Sequence, residues 1–342
     1  MKVKFEEHQL KDRQSQRYLI YTLFLLSGIS GLIYQIVWTL MLVIVFGNTM
    51  FATSTVLSAF MGGLPAGSYS LGRYVDKHPR PLIKVYAILE AGIGLFALFL
   101  PLILHALTPT YASLYSGVEG NIILLNLVRF AVCFAIIAVP TFLMGGTLPI
   151  LIKRFTTKGD SIGHHTGFLY GLNTAGAVVG TFACGYFLLR VLGMQKTTWV
   201  AVAINLLVAA AAWIVGSRTV ESSARQEARA NSNSIAVEES GVRRSRATIR
   251  MILVGVGLSG FCALAYEVFW TRMLNLFLHN NIYSFTAILG TFLVGISIGS
   301  LIYARFLTRS DHQIRLFIWL QVGIGAISYS TPFIFRFLHA GL

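Results

Sequence analysis

Apolar residues in this chain come in long blocks separated by short polar or basic breaks. A helix that crosses a hydrocarbon core of roughly 30 Å needs about 20 mostly apolar residues, and must pair every backbone group within itself. On that template nine spans are predicted, at approximately 18–44, 50–72, 82–105, 121–152, 165–190, 197–216, 250–275, 281–304 and 314–338. The predicted fold is therefore an all-α polytopic membrane protein with about nine transmembrane helices.

The pattern also repeats. The stretch from Ser27 to Arg73 returns 232 residues later, from Ser259 to Arg305, without a gap. Ser27-Gly28 matches Ser259-Gly260, Tyr34 matches Tyr266, Trp38-Thr39 matches Trp270-Thr271, and Asn48 matches Asn280. Gly63, Gly67 and Arg73 match Gly295, Gly299 and Arg305. After one deletion Glu90, Gly92, Gly94 and Pro101 face Gln321, Gly323, Gly325 and Pro332. Shared apolar composition would align scattered Leu and Ile, whereas here Tyr, Trp, Asn, Gly and Arg align in order. Repeats on this scale are a signature of transporter folds. The organisation read from the sequence is a tail (1–17), a first unit of six spans (18–216), a linker (217–249) and a partial second unit of three spans (250–342), an incomplete six-plus-three repeat. The linker is rich in Ser, Ala, Arg and Glu and is predicted to be flexible, because it has too little apolar surface to offset the entropy of ordering.

Composition agrees with the pattern. Hydrophobic residues make up 55% of the chain and charged residues 12%, with a mean hydropathy of +0.70. The formal net charge of +14 invites a nucleic-acid partner, but the basic residues fall in alternate loops and the 106–120 segment carries no Lys or Arg. That bias sets membrane orientation and implies a cytoplasmic N-terminus. The lipid bilayer, not nucleic acid, is the predicted partner. The first 17 residues lack the short apolar core of a cleavable signal peptide. Cys133, Cys184 and Cys262 lie far apart inside spans, without metal-ligand or disulfide spacing. No metal site or cofactor is predicted.

Between the second and third spans lies Gly72-Arg73-Tyr74-Val75-Asp76-Lys77-His78-Pro79-Arg80-Pro81. It resembles the gating-loop signature of the major facilitator superfamily (MFS), in which Gly72, Arg73, Asp76, Lys77 and Arg80 would be the working residues. Asp76 could then pair with basic groups or a helix N-terminus. In the second unit Ala304 and Thr308 replace the Gly and the Asp.

The segments Ser27–Thr39, Phe142-Leu-Met-Gly-Gly-Thr-Leu-Pro149, Gly167–Ala177 and Ala265-Tyr-Glu-Val-Phe-Trp-Thr-Arg-Met-Leu274 together resemble the membrane region of the fused MFS/spermidine synthase family. The resemblance implies an MFS-like fold in a plasma membrane of bacterial inner-membrane type. It also implies a small cationic solute such as a polyamine, or else a role as anchor for an aminopropyltransferase supplied as a separate synthase subunit or lost by truncation. Members of that family usually carry the synthase domain after the membrane part, and residues 1–342 do not include one. No enzymatic activity is expected of these residues. Gly255-Val-Gly-Leu-Ser-Gly260 has the spacing of a dinucleotide loop but sits inside a span without a preceding strand, so it reads as a helix-packing face.

Charged and polar groups at membrane depth are the remaining candidates, since insertion of a charge costs roughly 2.5–3.5 kcal/mol. Glu267 and Glu90 are the carboxylates, with Gln35 and Gln321 as their mates. If the units pack about a pseudo-twofold axis, Tyr34, Gln35, Trp38, Tyr266, Glu267 and Trp270 would line a shared cavity. Glu267 could there hold a cation among aromatic rings or take up a proton, or it could instead pair with Arg272 or lie close enough to the interface to be hydrated. Arg129 could pair with Glu90 or with Glu267. Trp38 and Trp270 could instead be interfacial belt residues. Asn173 and Thr174 read as packing glue, His164 and His165 as solvated loop residues, and Gly145-Gly146 between Pro140 and Pro149 as a hinge.

Overall fold

A computed structural model describes residues 2–46, 49–78, 81–117, 122–156, 162–230, 246–278, 281–308 and 313–340. Nine α-helices and no strand occur among the described residues: α1 (Lys2–Phe46), α2 (Thr49–Lys77), α3 (Leu82–Gly117), α4 (Ile122–Phe155), α5 (Ile162–Phe182), α6 (Leu189–Ala230), α7 (Arg246–Leu278), α8 (Asn281–Ile302) and α9 (Gln313–Ala340). A π-helical stretch, Ala183–Leu188, joins α5 to α6, and a second, Tyr303–Leu307, extends α8.

Seven stretches of the described residues are long and apolar enough to cross a membrane. One of them, Gly163–Ser217, is 55 residues long and contains both the fifth and sixth predicted spans. At 1.5 Å per residue an unbroken helix of that length would reach about 80 Å, far beyond a bilayer. The run is interrupted at Gly193, whose backbone (φ 72°, ψ 177°) is open to glycine and strained for other residues. The second predicted span is α2, which is not among the seven. Its Gly, Ser and Thr content lowers its hydropathy but suits its position, since it packs along α4.

That contact explains the glycines on both helices. A Cβ on Gly67 would meet the Phe142 carbonyl, one on Gly63 the Thr141 side chain, and one on Gly145 the Leu64 carbonyl. Thr141 also donates its hydroxyl to the Ala59 carbonyl at 3.1 Å. Gly145 and Gly146 thus serve close packing, and the helical assignment of α4 is continuous through Pro140 and Pro149.

In the first six helices α1 packs on α5 and α6, and α3 packs on α4 and α6. Gly176 and Gly180 of α5 lie against the Leu25 and Ile29 carbonyls of α1, and the Asn173 amide donates to the Phe24 carbonyl at 2.9 Å, as expected of packing glue. The last three helices join the rest mainly through α8 on α5. There Ser297 donates to the Gly171 carbonyl at 3.0 Å, and His164 Nδ1 donates to the Ala304 carbonyl at 2.7 Å. His164 and His165 belong to the first turn of α5 and not to a loop; His164 is exposed, as expected, whereas His165 is buried. The backbone of 217–230 continues α6, so the first part of the expected linker is helical.

Candidate functional site

The polar residues singled out in the sequence separate into three places. The first is the middle of α1. Tyr34 and Trp38, one turn apart, stack with ring centroids 5.2 Å apart and planes at 14°. Both are at most 1% exposed, and Phe60 of α2 packs beside Trp38. Trp38 is therefore a core residue and not part of an interfacial belt. Gln35 is also buried, and its carbonyl accepts the Thr39 hydroxyl at 2.7 Å.

The second place is Glu90 on α3, which is fully buried. Ser27 of α1 donates to Oε1 at 2.6 Å, and the Asn205 amide of α6 donates to Oε2 at 2.6 Å. A buried carboxylate is tolerated when its lone pairs are met by donors. Here two neutral donors on two helices meet it, not the Arg129 guanidinium considered from sequence. Arg129 lies partly buried on α4, one turn before Cys133. Asn205 was not singled out from sequence, although an amide in the middle of an apolar span is itself a signal of a buried polar partner.

The third place is α7. Tyr266 and Trp270 stack at 5.5 Å and 15°, nearly the geometry of Tyr34 and Trp38, and Thr271 donates to the Glu267 carbonyl at 2.7 Å as Thr39 does to Gln35. Glu267 is 5% exposed, yet its Oε1 has no hydrogen-bond partner among the described residues. The two buried carboxylates thus differ in kind: Glu90 is satisfied and ties helices together, whereas Glu267 holds an unmet acceptor.

α1 and α7 are not among the closely packed helix pairs, and no hydrogen bond or ring pair among the described residues links the two aromatic stacks. The six residues expected to converge are therefore held on two separate helices. Other unmet polar atoms sit closer to α1. Tyr34 and Trp38 share one apolar cluster with Cys184, in the π-helical stretch after α5, and with Leu289 of α8. The Tyr34 hydroxyl, Trp38 Nε1 and the Ser284 and Thr286 hydroxyls of α8 are buried with no hydrogen-bond partner among the described residues. Thr286 lies against Gly185, whose missing side chain leaves room for it.

The gating-loop residues lie at one end of α2. Lys153 of α4 donates to Asp76 Oδ1 at 2.8 Å and to the Val75 carbonyl at 2.9 Å. The pair thus fastens α2 to α4 within the first six helices and does not reach α7–α9. A Cβ on Gly72 would stand 3.5 Å from Pro149 of α4, an ordinary contact, so the approach of these helices does not require a glycine at this position. Arg73 and Lys77 are exposed, Arg73 donating to the Tyr69 hydroxyl at 3.1 Å, and Arg80 lies outside the described residues. No group of His, Cys, Asp or Glu arranged to hold a metal ion is present among the described residues.

An all-helical bundle with seven membrane-length apolar stretches and buried polar groups between its helices places the chain in the class of α-helical membrane proteins. No protein family model, curated protein or solved structure matches it.

Proposed function

We propose that the protein is a nine-span, transporter-like membrane protein whose α1–α6 and α7–α9 are related units, and that Glu267 binds a small cationic solute such as a polyamine. The single observation that carries this reading is the buried, unmet Oε1 of Glu267, flanked on its own helix by the Tyr266–Trp270 stack. An uncompensated carboxylate in a low-dielectric setting is costly, and a bound cation or a proton removes the cost. Aromatic faces beside it add cation-π attraction. Nine spans follow from the seven apolar stretches if Gly193 divides the longest and α2 crosses with α4 beside it. The two-unit reading draws further support from mate pairs that repeat a contact: Ser27 with Glu90, and Ser259 with Gln321, whose amide donates to the serine hydroxyl at 2.8 Å.

The test is equilibrium binding of labelled spermidine to the protein in lipid nanodiscs. Saturable binding that weakens about tenfold or more in Glu267→Gln supports the assignment, by the usual worth of a buried charge partner. Binding no greater than to empty nanodiscs, or equal in the two proteins, rejects it.

A further inference from the structure

The fully buried Glu90 carboxylate is the point where α1, α3 and α6 meet, through Ser27 and Asn205. Among the described residues it forms no salt bridge. Its two hydrogen bonds at 2.6 Å come from neutral groups, which ease the cost of burying the charge without cancelling it. A carboxylate offers about four lone-pair positions, so two donors leave acceptor capacity over.

The groups around Glu90 are short of partners as well. Asn205 is buried and gives its amide hydrogens to Glu90, but its Oδ1 makes no hydrogen bond among the described residues. Tyr86, one turn before Glu90 on α3 and fully buried, has its hydroxyl close to the carboxylate but not aligned to bond with it, and no other described group meets it. Tyr34, two turns after Ser27 on α1, is within electrostatic reach of Glu90 and holds a third unmet oxygen.

Oxygens from three helices therefore converge on one buried negative charge that no cationic side chain balances. Carboxylate, carbonyl and hydroxyl oxygens are hard ligands, suited to alkali and alkaline-earth ions and not to soft transition metals. One carboxylate carries one negative charge, which a monovalent ion neutralises and a divalent ion would overcompensate. The hydroxyl protons of Ser27 and Tyr86 can rotate aside and the Asn205 amide can turn over, so each can present a lone pair to an ion beside Glu90. The second unit offers an internal comparison. In the register that sets Glu90 against Gln321, Tyr86 faces Phe317, so α9 lacks both the charge and the hydroxyl, and Gln321 forms a neutral pair with Ser259.

We infer that Glu90, Ser27, Asn205 and Tyr86 form a binding site for a monovalent cation, sodium, within α1–α6 and apart from Glu267. Bound there, the ion ties α1, α3 and α6 together through its own coordination. The site does not depend on any solute held by α7.

The test is equilibrium binding of radiolabelled sodium to the whole chain in lipid nanodiscs, in choline chloride at constant pH and ionic strength. Saturable binding is expected. Glu90→Gln, which removes the charge and keeps a polar group of the same shape, is expected to weaken it about tenfold or more. Tyr86→Phe, the exchange that α9 itself displays, is expected to weaken it about fivefold, the worth of one polar contact. Both variants are compared as monodisperse protein on size exclusion, and Tyr86→Phe carries the test by itself should Glu90→Gln fail to fold. Binding no greater than to empty nanodiscs overturns the inference, and so does equal binding by the parent and a folded variant. Binding lost in Glu267→Gln and kept in Glu90→Gln would put the ion on α7 and overturns it too. No spermidine enters this assay, so failure here and failure of the Glu267 assignment are separately visible.

Discussion

The Ser27 hydroxyl donates to Glu90 Oε1 across 2.6 Å and ties α1 to α3 without a salt bridge to either residue among the described residues. The same two positions in α7 and α9 are Ser259 and Gln321, and there the direction of the bond reverses. A carboxylate can only accept, so Ser27 gives its proton, whereas an amide can donate, so Gln321 gives to Ser259. The contact survives the exchange of Glu for Gln because serine can play either part. What does not repeat is Asn205, the second donor to Glu90, which comes from α6.

Removing that second donor leaves one carboxylate oxygen buried and unmet. Asn205→Leu is therefore expected to destabilise the protein by about 2–4 kcal/mol, the range for stranding one member of a buried charged hydrogen bond. Glu90→Gln, which keeps a polar group between Ser27 and Asn205, is expected to cost less. Thermal unfolding in detergent by tryptophan fluorescence checks the order; an Asn205→Leu protein as stable as the parent would contradict the role given to this network.

The pair at the end of α2 lies in solvent reach, with side chains 39% exposed for Lys153 and 69% for Asp76. Asp76→Asn is expected to lower stability by less than about 1 kcal/mol, with the loss shrinking as salt is raised. Lys153→Met removes the bond to the Val75 carbonyl as well and is expected to cost more. Unfolding measured in low and high salt separates the two, and a large, salt-independent loss in Asp76→Asn would show the pair to be more than a surface tie.

Gly67 and Gly299 occupy matching positions with opposite surroundings. A side chain at Gly67 would meet the backbone of α4, so Gly67→Leu is expected to cost about 2 kcal/mol or more, since rigid backbone cannot give way as a flexible side chain would. Gly299→Leu has open space and is expected to leave the isolated chain as stable as the parent or slightly more so. Side-by-side yields of monodisperse protein on size exclusion would reveal the asymmetry, and equal losses would deny it.

Gly193 is constrained by its backbone alone, because no atom among the described residues lies within 4 Å of a Cβ built there. Gly193→Ala is accordingly expected to cost about 1–3 kcal/mol through conformational strain, with no change in packing. A measured melting temperature within experimental error of the parent would mean that the break between the fifth and sixth spans can relax elsewhere.

The sequence by itself determined the helical, membrane-type character of the chain, because the length and apolarity of each block are local properties that the bilayer reads directly. It also displayed the residue-by-residue correspondence of Ser27–Arg73 with Ser259–Arg305, which needs no coordinates. It exposed Glu90 and Glu267 as unusual, since a carboxylate inside an apolar block stands out on inspection. It could not rank them, because a carboxylate's role depends on which donors reach it from helices distant in sequence. Asn205 stands 115 residues from Glu90 and nothing local connects them. The same holds for Trp38, whose burial is decided by Tyr34 and Phe60 around it, and for Asp76, whose partner is fixed by the packing of α2 along α4. Only the tertiary structure separated the satisfied carboxylate from the unmet one and the seated glycines from the open ones, because satisfaction and seating are properties of what surrounds a residue and not of the residue itself.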